Sequence, residues 1–330
     1  MRVSSFSFNC LLKFHLGLQN AANLLLLAID NQKLFSIKVL TRGKGSFDCQ
    51  QPQLKIDFNK NDAFGTMFEK INKIKLFTKG TCLENKTDNE QDKQIIANYL
   101  IYNLYEEFSE FHFKTRLVKI NHEDTSKKYL PYDQYAFFLE PNKNLEQRLS
   151  LISIEMMQLM ELNIRLPELS SADIVSKVNA FEFLIANYDY GIPGYFSHII
   201  NDSLSNQIYY GEKNSKMFRD DNGSLIPFIY DFDFSRFGYM GTYCGFGFPF
   251  FWGAEPDLEC DTNNLKNILL TDLEKFKYKN DVILHLPLFS KSLESWKKKN
   301  QSLIELLGKE YSNGLDNFQE ALKSIQTKFK

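Results

Sequence analysis

The sequence contains no CxxC pair, and its five cysteines (Cys10, Cys49, Cys82, Cys244, Cys260) are scattered and odd in number. Neither a zinc site nor a disulfide framework is indicated. Charge of one sign is also missing. A formal net charge of −2 over 330 residues gives no global basic field, which argues against a dedicated nucleic-acid binder. No apolar run approaches the length of a transmembrane helix, so no integral membrane segment is expected. The N-terminal "MRVSSFSFNCLLKFHLGLQ" starts basic, but Lys13 and His15 interrupt its apolar part and no small-residue cleavage site follows. It makes a poor signal peptide, which favours the cytoplasm over export and otherwise leaves the compartment open. Internal repeats and low-complexity tracts are absent as well.

Aromatic side chains are plentiful, at 15% of the chain with 30 Phe and 16 Tyr. The first 140 residues read as strands around one helix. "NLLLLAID" and "KLFSIKVLTRG" form a hairpin about "DNQ" (30–32). "LKIDF" (54–58) alternates Leu54, Ile56 and Phe58 on one face, and "KIKLFTKG" (73–80) sets Ile74 and Leu76 against Lys73, Lys75 and Phe77. "FKTRLVKI" (113–120) and "YDQYAFFLE" (132–140) complete an antiparallel set. The helix between them, 92–108, carries Ile95, Tyr99 and Tyr102 on one stripe.

Helical patterns follow at 145–163 and 171–188, the second with a stripe of Ile174, Val178, Phe181 and Ile185. Short strands are expected at "NQIYY" (206–210) and near 228, separated by the polar loop "GEKNSKMFRDDNGS". The last helix carries Leu315, Phe318, Leu322, Ile325 and Phe329, set off from its predecessor by Ser312-Asn313-Gly314. The expected architecture is α+β: a β-rich lobe with one helix over 1–141, then a larger, mainly helical lobe over 142–330. Ligand sites favour clefts between such lobes.

One stretch stands apart. "FIYDFDFSRFG" (228–238) places two aspartates in a run that otherwise reads as a buried strand. Alternation would put Asp231 and Asp233 on one face, with Cβ atoms about 7 Å apart, and Tyr230, Phe232 and Phe234 on the other. Two like charges on a half-buried strand need a cation between them, either a divalent metal or a basic side chain such as Arg236.

Three further features could line the same cleft: Asp189 in the Gly/Pro loop "NYDYGIPG", Lys75 in its strand, and Arg42 in the turn "TRGKG" (41–45). Each has a plainer reading, as a turn residue, a solvated strand residue and an ordinary glycine turn that is not a Walker A loop. Together they match what phosphoryl transfer needs: a lysine for phosphate oxygens, a loop aspartate for the acceptor proton, and an aspartate for magnesium. Their order along the chain is that of protein kinases.

An ordered series of short motifs adds to this reading. It runs "TRG" (41–43), "LKIDF" (54–58), "GTMF" (65–68), "KIKLF" (73–77), "YLIYNLY" (99–105), "RLVKI" (116–120), "FFLEP" (137–141), "NYDYGIPG" (187–194) and "YDFDFS" (230–235). The series resembles the CotH-type spore-coat kinase family, in a divergent bacterial branch, over about residues 23–240. The resemblance implies a two-lobed, protein-kinase-like fold that binds ATP and Mg²⁺ or Mn²⁺ and phosphorylates hydroxyls, with a protein as the acceptor. It implies that Lys75, with Arg42 nearby, meets the nucleotide phosphates, and that Glu140 marks the hinge beside the adenine. Asp189 would be catalytic, and Asp231, with Asp233, would hold the metal.

Two positions depart from the family pattern. Asn98 stands where a glutamate pairs with the strand lysine, and Ser197 where an asparagine serves as second metal ligand. Serine is a weaker ligand than an amide oxygen for a hard cation. Two alternatives therefore stay open: a nucleotide-binding pseudokinase with little turnover, and a carboxylate- or metal-dependent hydrolase using the paired aspartates. The glycine- and aromatic-rich run 236–253 reads either as a lip over the cleft or as packing.

Overall fold

The structure is a computed structural model. It describes residues 11–16, 24–29, 33–42, 53–64, 68–78, 88–124, 132–155, 170–187, 192, 214–232, 235, 237 and 265–329. The chain divides into two compact units, one of residues 1–99 and 114–145, the other of residues 100–113 and 146–330.

Among the described residues the first unit has seven strands: β1 (Leu11–Leu16), β2 (Leu24–Ile29), β3 (Lys33–Arg42), β4 (Gln53–Phe58), β5 (Lys73–Phe77), β6 (Thr115–Asp124) and β7 (Tyr132–Leu139). The pairs β2/β3, β3/β4, β4/β5, β5/β7 and β6/β7 are antiparallel, as the sequence pattern predicts. The ladder does not stay open, however. β1, within a segment that gave no strand signal in the sequence, lies antiparallel to β2 and parallel to β6, so the order β1-β2-β3-β4-β5-β7-β6 closes on itself. Closure satisfies the backbone groups that an edge strand would leave unpaired.

Register follows the apolar alternation. Val39 faces Ile56, Ile56 faces Ile74, Leu76 faces Phe138, and Val118 faces Ala136, all directed into one core. A slip by one residue would turn this whole set outward, so the pattern fixes the pairing. The alternate positions carry charge: Lys73 pairs with Asp57 at 3.2 Å, and Lys119 with Asp133 at 2.9 Å. Phe68, from the turn before β5, stacks on Phe58 at 4.5 Å between ring centroids and meets the edge of Phe138. α1 (Lys60–Ala63) is one short turn, started by the Asn59 side chain accepting from the Asn61 amide.

α2 (Asp88–Phe108) passes from the first unit to the second at Tyr99/Leu100. Its first half lies on β7. The Tyr135 amide donates to Asp92 Oδ1 at 3.0 Å, and Tyr99 packs on Phe137, which itself stacks on Phe77 at 4.7 Å. Phe137 and Phe77 are buried for that reason, although both sit on the barrel's outer face.

The second unit is mainly helical among the described residues. It contains the second half of α3 (Asn142–Leu149), then α4 (Ala172–Leu184), α5 (Leu265–Lys275), α6 (Lys279–Lys299), α7 (Gln301–Leu307) and α8 (Lys309–Lys328). α4 is buried over most of its length, including the polar Ser176, Asn179 and Glu182, and sits at the centre of the unit. Phe181 of α4 and Phe108 of α2 both pack on Phe289 of α6. Trp296 Nε1 donates to the Leu100 carbonyl at 2.9 Å, and Ser292 Oγ to that of Glu107 at 2.9 Å.

A small sheet completes this unit: β8 (Ile152–Ser153), β9 (Ser215–Arg219) and β10 (Leu225–Ile229), in the order β10-β9-β8. A β unit with one long helix, followed by a mainly helical unit, is the α+β organisation expected of a kinase-like fold.

Four expectations are corrected. The helical pattern over 145–163 stops at Leu149, where Ser150 turns to φ +53° and the chain enters β8. β9 lies inside the stretch read as a polar loop. Its Met217 and Phe218 supply two apolar faces, and Asp220 Oδ1 caps the turn by accepting from the Asn222 and Ser224 amides. Gly223, at φ +84°, gives that turn its left-handed residue. Ser312-Asn313-Gly314 lies within α8, and the break before that helix falls at Gly308, φ +102°. The strand read through 228–238 ends at Ile229. The segment 206–210 lies outside the described residues.

Candidate functional site

In the first unit, Lys75 sits mid-strand on β5, opposite Lys55 of β4 and Leu139 of β7. It is half-buried and shares the outer barrel face with Phe77. Arg42 ends β3 on that face, one row away. Its Nε donates to the Leu54 carbonyl at 3.2 Å, and its guanidinium lies 4.3 Å from the Phe77 ring centroid. Stacking of this kind contributes about 0.5–1 kcal/mol and fixes the direction of the guanidinium. Gln53, between Arg42 and Phe77 in the row, bonds both backbone groups of Thr78 at 3.3 Å and ties down the end of β5. The structure thus brings Lys75 and Arg42 to one face.

Glu140 follows β7. Its amide donates to the Lys114 carbonyl at 2.9 Å, and its Oε2 accepts from the Lys114 amide at 3.0 Å. The carboxylate therefore closes the β6/β7 pair while lining a shallow recess of about 210 Å³ with Phe68, Ile74, Lys114, Arg116 and Phe138. Asn98 is half-buried on α2, beside Tyr99.

In the second unit, the site grows from the end of α4. The helix stops at Ile185, Ala186 turns to φ +52°, and the Asn187 amide returns to the Glu182 carbonyl at 3.0 Å. Asn187 is fully buried at the root of the Gly/Pro loop. The same place anchors the stretch after β10: Ser235 Oγ donates to the Ile185 carbonyl at 2.7 Å, and the Phe237 amide donates to it at 3.3 Å. The end of α4 and the segment that follows Asp231 meet at this one carbonyl.

Asp231 itself is half-buried and takes φ +68°, a left-handed conformation that costs a non-glycine residue about 1 kcal/mol. This breaks the alternation assumed for residues 228–238, because a left-handed residue cannot continue a strand. The conformation is held from both sides. The Tyr230 amide donates to the Asn214 carbonyl at 2.9 Å, and the Asp231 amide donates to Tyr102 Oη at 2.8 Å. Phe232 is then buried edge-on against Tyr102, with Tyr105 and Phe181 around it.

Electrostatically the floor is severe. Burial, joined by the negative fields of Glu182 and Glu110 and opposed by a Ser109 hydrogen bond, pushes the Tyr105 hydroxyl far above its ordinary 10.0. Glu182 is fully buried next to it.

Asp189, Asp233 and Ser197 lie outside the described residues, as do Arg236 and most of the run 236–253. Lys75, Arg42 and Glu140 belong to the first unit and Asp231 to the second. Among the described residues no group of three or more His, Cys, Asp or Glu side chains gathers as a metal site, and no helix is long and apolar enough to cross a membrane. Sequence reasoning missed Tyr102, Asn187 and Ser235. Tyr102 was visible as part of the apolar stripe of its helix, but nothing local marks its hydroxyl as a partner for residue 231.

No family model matches the chain, and no curated protein matches it. Among solved structures, a proinflammatory kinase from Helicobacter pylori, CtkA, aligns over 94% of this chain and 97% of its own at 9% identity, with a TM-score of 0.26. At that TM-score the likeness carries no argument about function.

Proposed function

We propose that this chain is an atypical kinase-like phosphotransferase, moving the γ-phosphoryl group of ATP to a hydroxyl on an acceptor protein. The observation that carries the reading is the treatment of Asp231: a carboxylate held in a left-handed turn immediately after a buried strand, inside the strongest motif of the ordered series. The α+β organisation and the placing of Lys75 and Arg42 on one face support it.

In this reading Lys75 and Arg42 orient the triphosphate, and Asp189 accepts the proton of the attacking hydroxyl as its oxygen bonds to the γ-phosphorus. The bond from the γ-phosphorus to the bridging oxygen breaks, and ADP leaves. Asp231, with Asp233, would hold Mg²⁺ or Mn²⁺; carboxylate oxygens suit a hard divalent cation. Bound there, the cation neutralises charge on the transferred group.

Asn98 favours a second reading, a pseudokinase. An amide lacks the charge to hold Lys75 against the phosphates, so the fold and the nucleotide would be kept with little turnover.

Incubation with γ-labelled ATP and Mg²⁺ or Mn²⁺, followed by a search for label on the protein itself, tests the proposal. Label that disappears in Asp189→Asn while nucleotide binding persists supports the kinase. A metal-dependent ATP thermal shift without label supports the pseudokinase. Neither label nor shift overturns both.

A further inference from the structure

We infer that Tyr102 is a positioning residue for Asp231, setting the backbone from which the carboxylate is presented; this rests on the reading of Asp231 as a metal ligand. Tyr102 lies on α2 and is almost fully buried at 3% exposure. Its hydroxyl accepts the Asp231 amide at 2.8 Å across 129 residues of sequence, and its ring takes the edge of Phe232 at 4.8 Å. One side chain thus grips two consecutive residues. The hydroxyl fixes the peptide that enters Asp231, and the ring fixes the residue that leaves it.

The left-handed backbone here is held by a contact from far along the chain. Ser150, Ala186 and Asn214 enter the same region at helix ends or beside a strand, and Gly223 and Gly308 enter it with no side chain to strain. Asp231 enters it under the hold of a side chain from a distant helix. If that hold is released, the peptide is free to relax toward extended backbone, turning the carboxylate away from its bound direction. A helix shift that moved Tyr102 would do the same. α2 is therefore a lever on the acidic site.

Tyr102→Phe tests this, because it keeps the ring and removes only the hydroxyl that accepts the Asp231 amide. Two readouts separate positioning from packing. In the protein without ligands, hydrogen exchange at the Asp231 amide should speed up at least tenfold, while amides of β10 stay unchanged. In the presence of ATP, the Mg²⁺ concentration giving half the thermal shift should rise about tenfold, the size expected for losing one buried hydrogen bond. ATP binding without metal should not change. An unaltered protein that responds to Mg²⁺, beside a Tyr102→Phe protein with the same metal dependence, overturns the inference and leaves the metal reading standing. An unaltered protein with no metal response overturns the metal reading and, with it, any positioning role. Should Tyr102→Phe fold poorly, Asp231→Gly in that background should recover stability, since glycine needs no hold.

Discussion

Lys75 and Asp231 occupy opposite kinds of backbone. Lys75 lies in the middle of a regular strand, hydrogen-bonded to β4 and β7, with its direction set by alternation. Its neighbours Ile74 and Leu76 anchor the strand in the barrel core. Asp231 sits off the end of β10 in a strained turn, fixed by Asn214, Tyr102 and the burial of Phe232. At the first position the backbone keeps a regular path. At the second it bends into a left-handed turn. Change at the two positions should therefore have different, and sometimes opposite, consequences.

The largest expected contrast is in stability. Phe232→Ala opens a cavity among Tyr102, Tyr105 and Phe181 and should cost about 3–5 kcal/mol in denaturant unfolding. Lys75→Met should change stability by under about 0.5 kcal/mol. A Phe232→Ala cost below about 1 kcal/mol would break the comparison, since the turn would then not depend on that packing.

Activity should show the next effect. Lys75→Met should lower label transfer by about 10²-fold, the usual consequence of removing one preorganised charge stabiliser, with no change in melting temperature. Asp231→Asn should remove the metal-dependent part of ATP binding. Transfer at the original rate in Lys75→Met would take the β unit out of the chemistry.

The same substitution at both positions should change stability in opposite directions. Glycine at Lys75 should destabilise by about 1 kcal/mol, because it loosens a regular strand. Asp231→Gly should stabilise by about 0.5 kcal/mol, as relief of the left-handed strain outweighs the added freedom of the unfolded chain. Loss of stability in Asp231→Gly would mean that the turn is not strained.

The smallest effect is a pH dependence confined to the helical unit. His285 of α6 lies with Nε2 3.0 Å from Ser176 Oγ of α4, and the edge of its ring meets Phe108 of α2. Burial holds its pKa below the ordinary 6.5, with Asp173 and Asp281 pulling it up and Lys177 pushing it down. The unfolded chain therefore takes the proton first. Stability is complete above pH 6.5 and falls as pH drops from there toward the lower folded value. His285→Gln should flatten that part of the stability profile, and an unchanged slope would assign it to other groups.

The β unit was largely legible because β4, β5, β6 and β7 each carry an alternating pattern strong enough to set face and register. β9 is hidden in the sequence because Asp220, Asp221 and Asn222 mark the turn more strongly than the apolar pair Met217 and Phe218 marks the strand before it. The helix after residue 145 was drawn too long because apolar spacing persists in the sequence beyond Leu149, where the backbone turns through Ser150. At the acidic stretch the alternating pattern misled. "YDFDFS" points to a carboxylate site, yet its alternation suggests a strand that the structure ends two residues before Asp231.

The sequence alone determined the elements whose pattern repeats: the strands that set Ile56 and Phe58, and Ile74 and Leu76, on one face, the long helix through Tyr99 and Tyr102, and the buried helix ending near Ile185. Periodic burial is a local property, written every two or every three to four residues, and needs no distant partner to be read. Closure of the barrel by β1, the anchoring of Ser235 and Phe237 at the Ile185 carbonyl, and the turn at Asp231 were decided only by tertiary structure. Each depends on a hydrogen bond between residues far apart in the chain, and a single polar contact at that separation leaves no periodic trace.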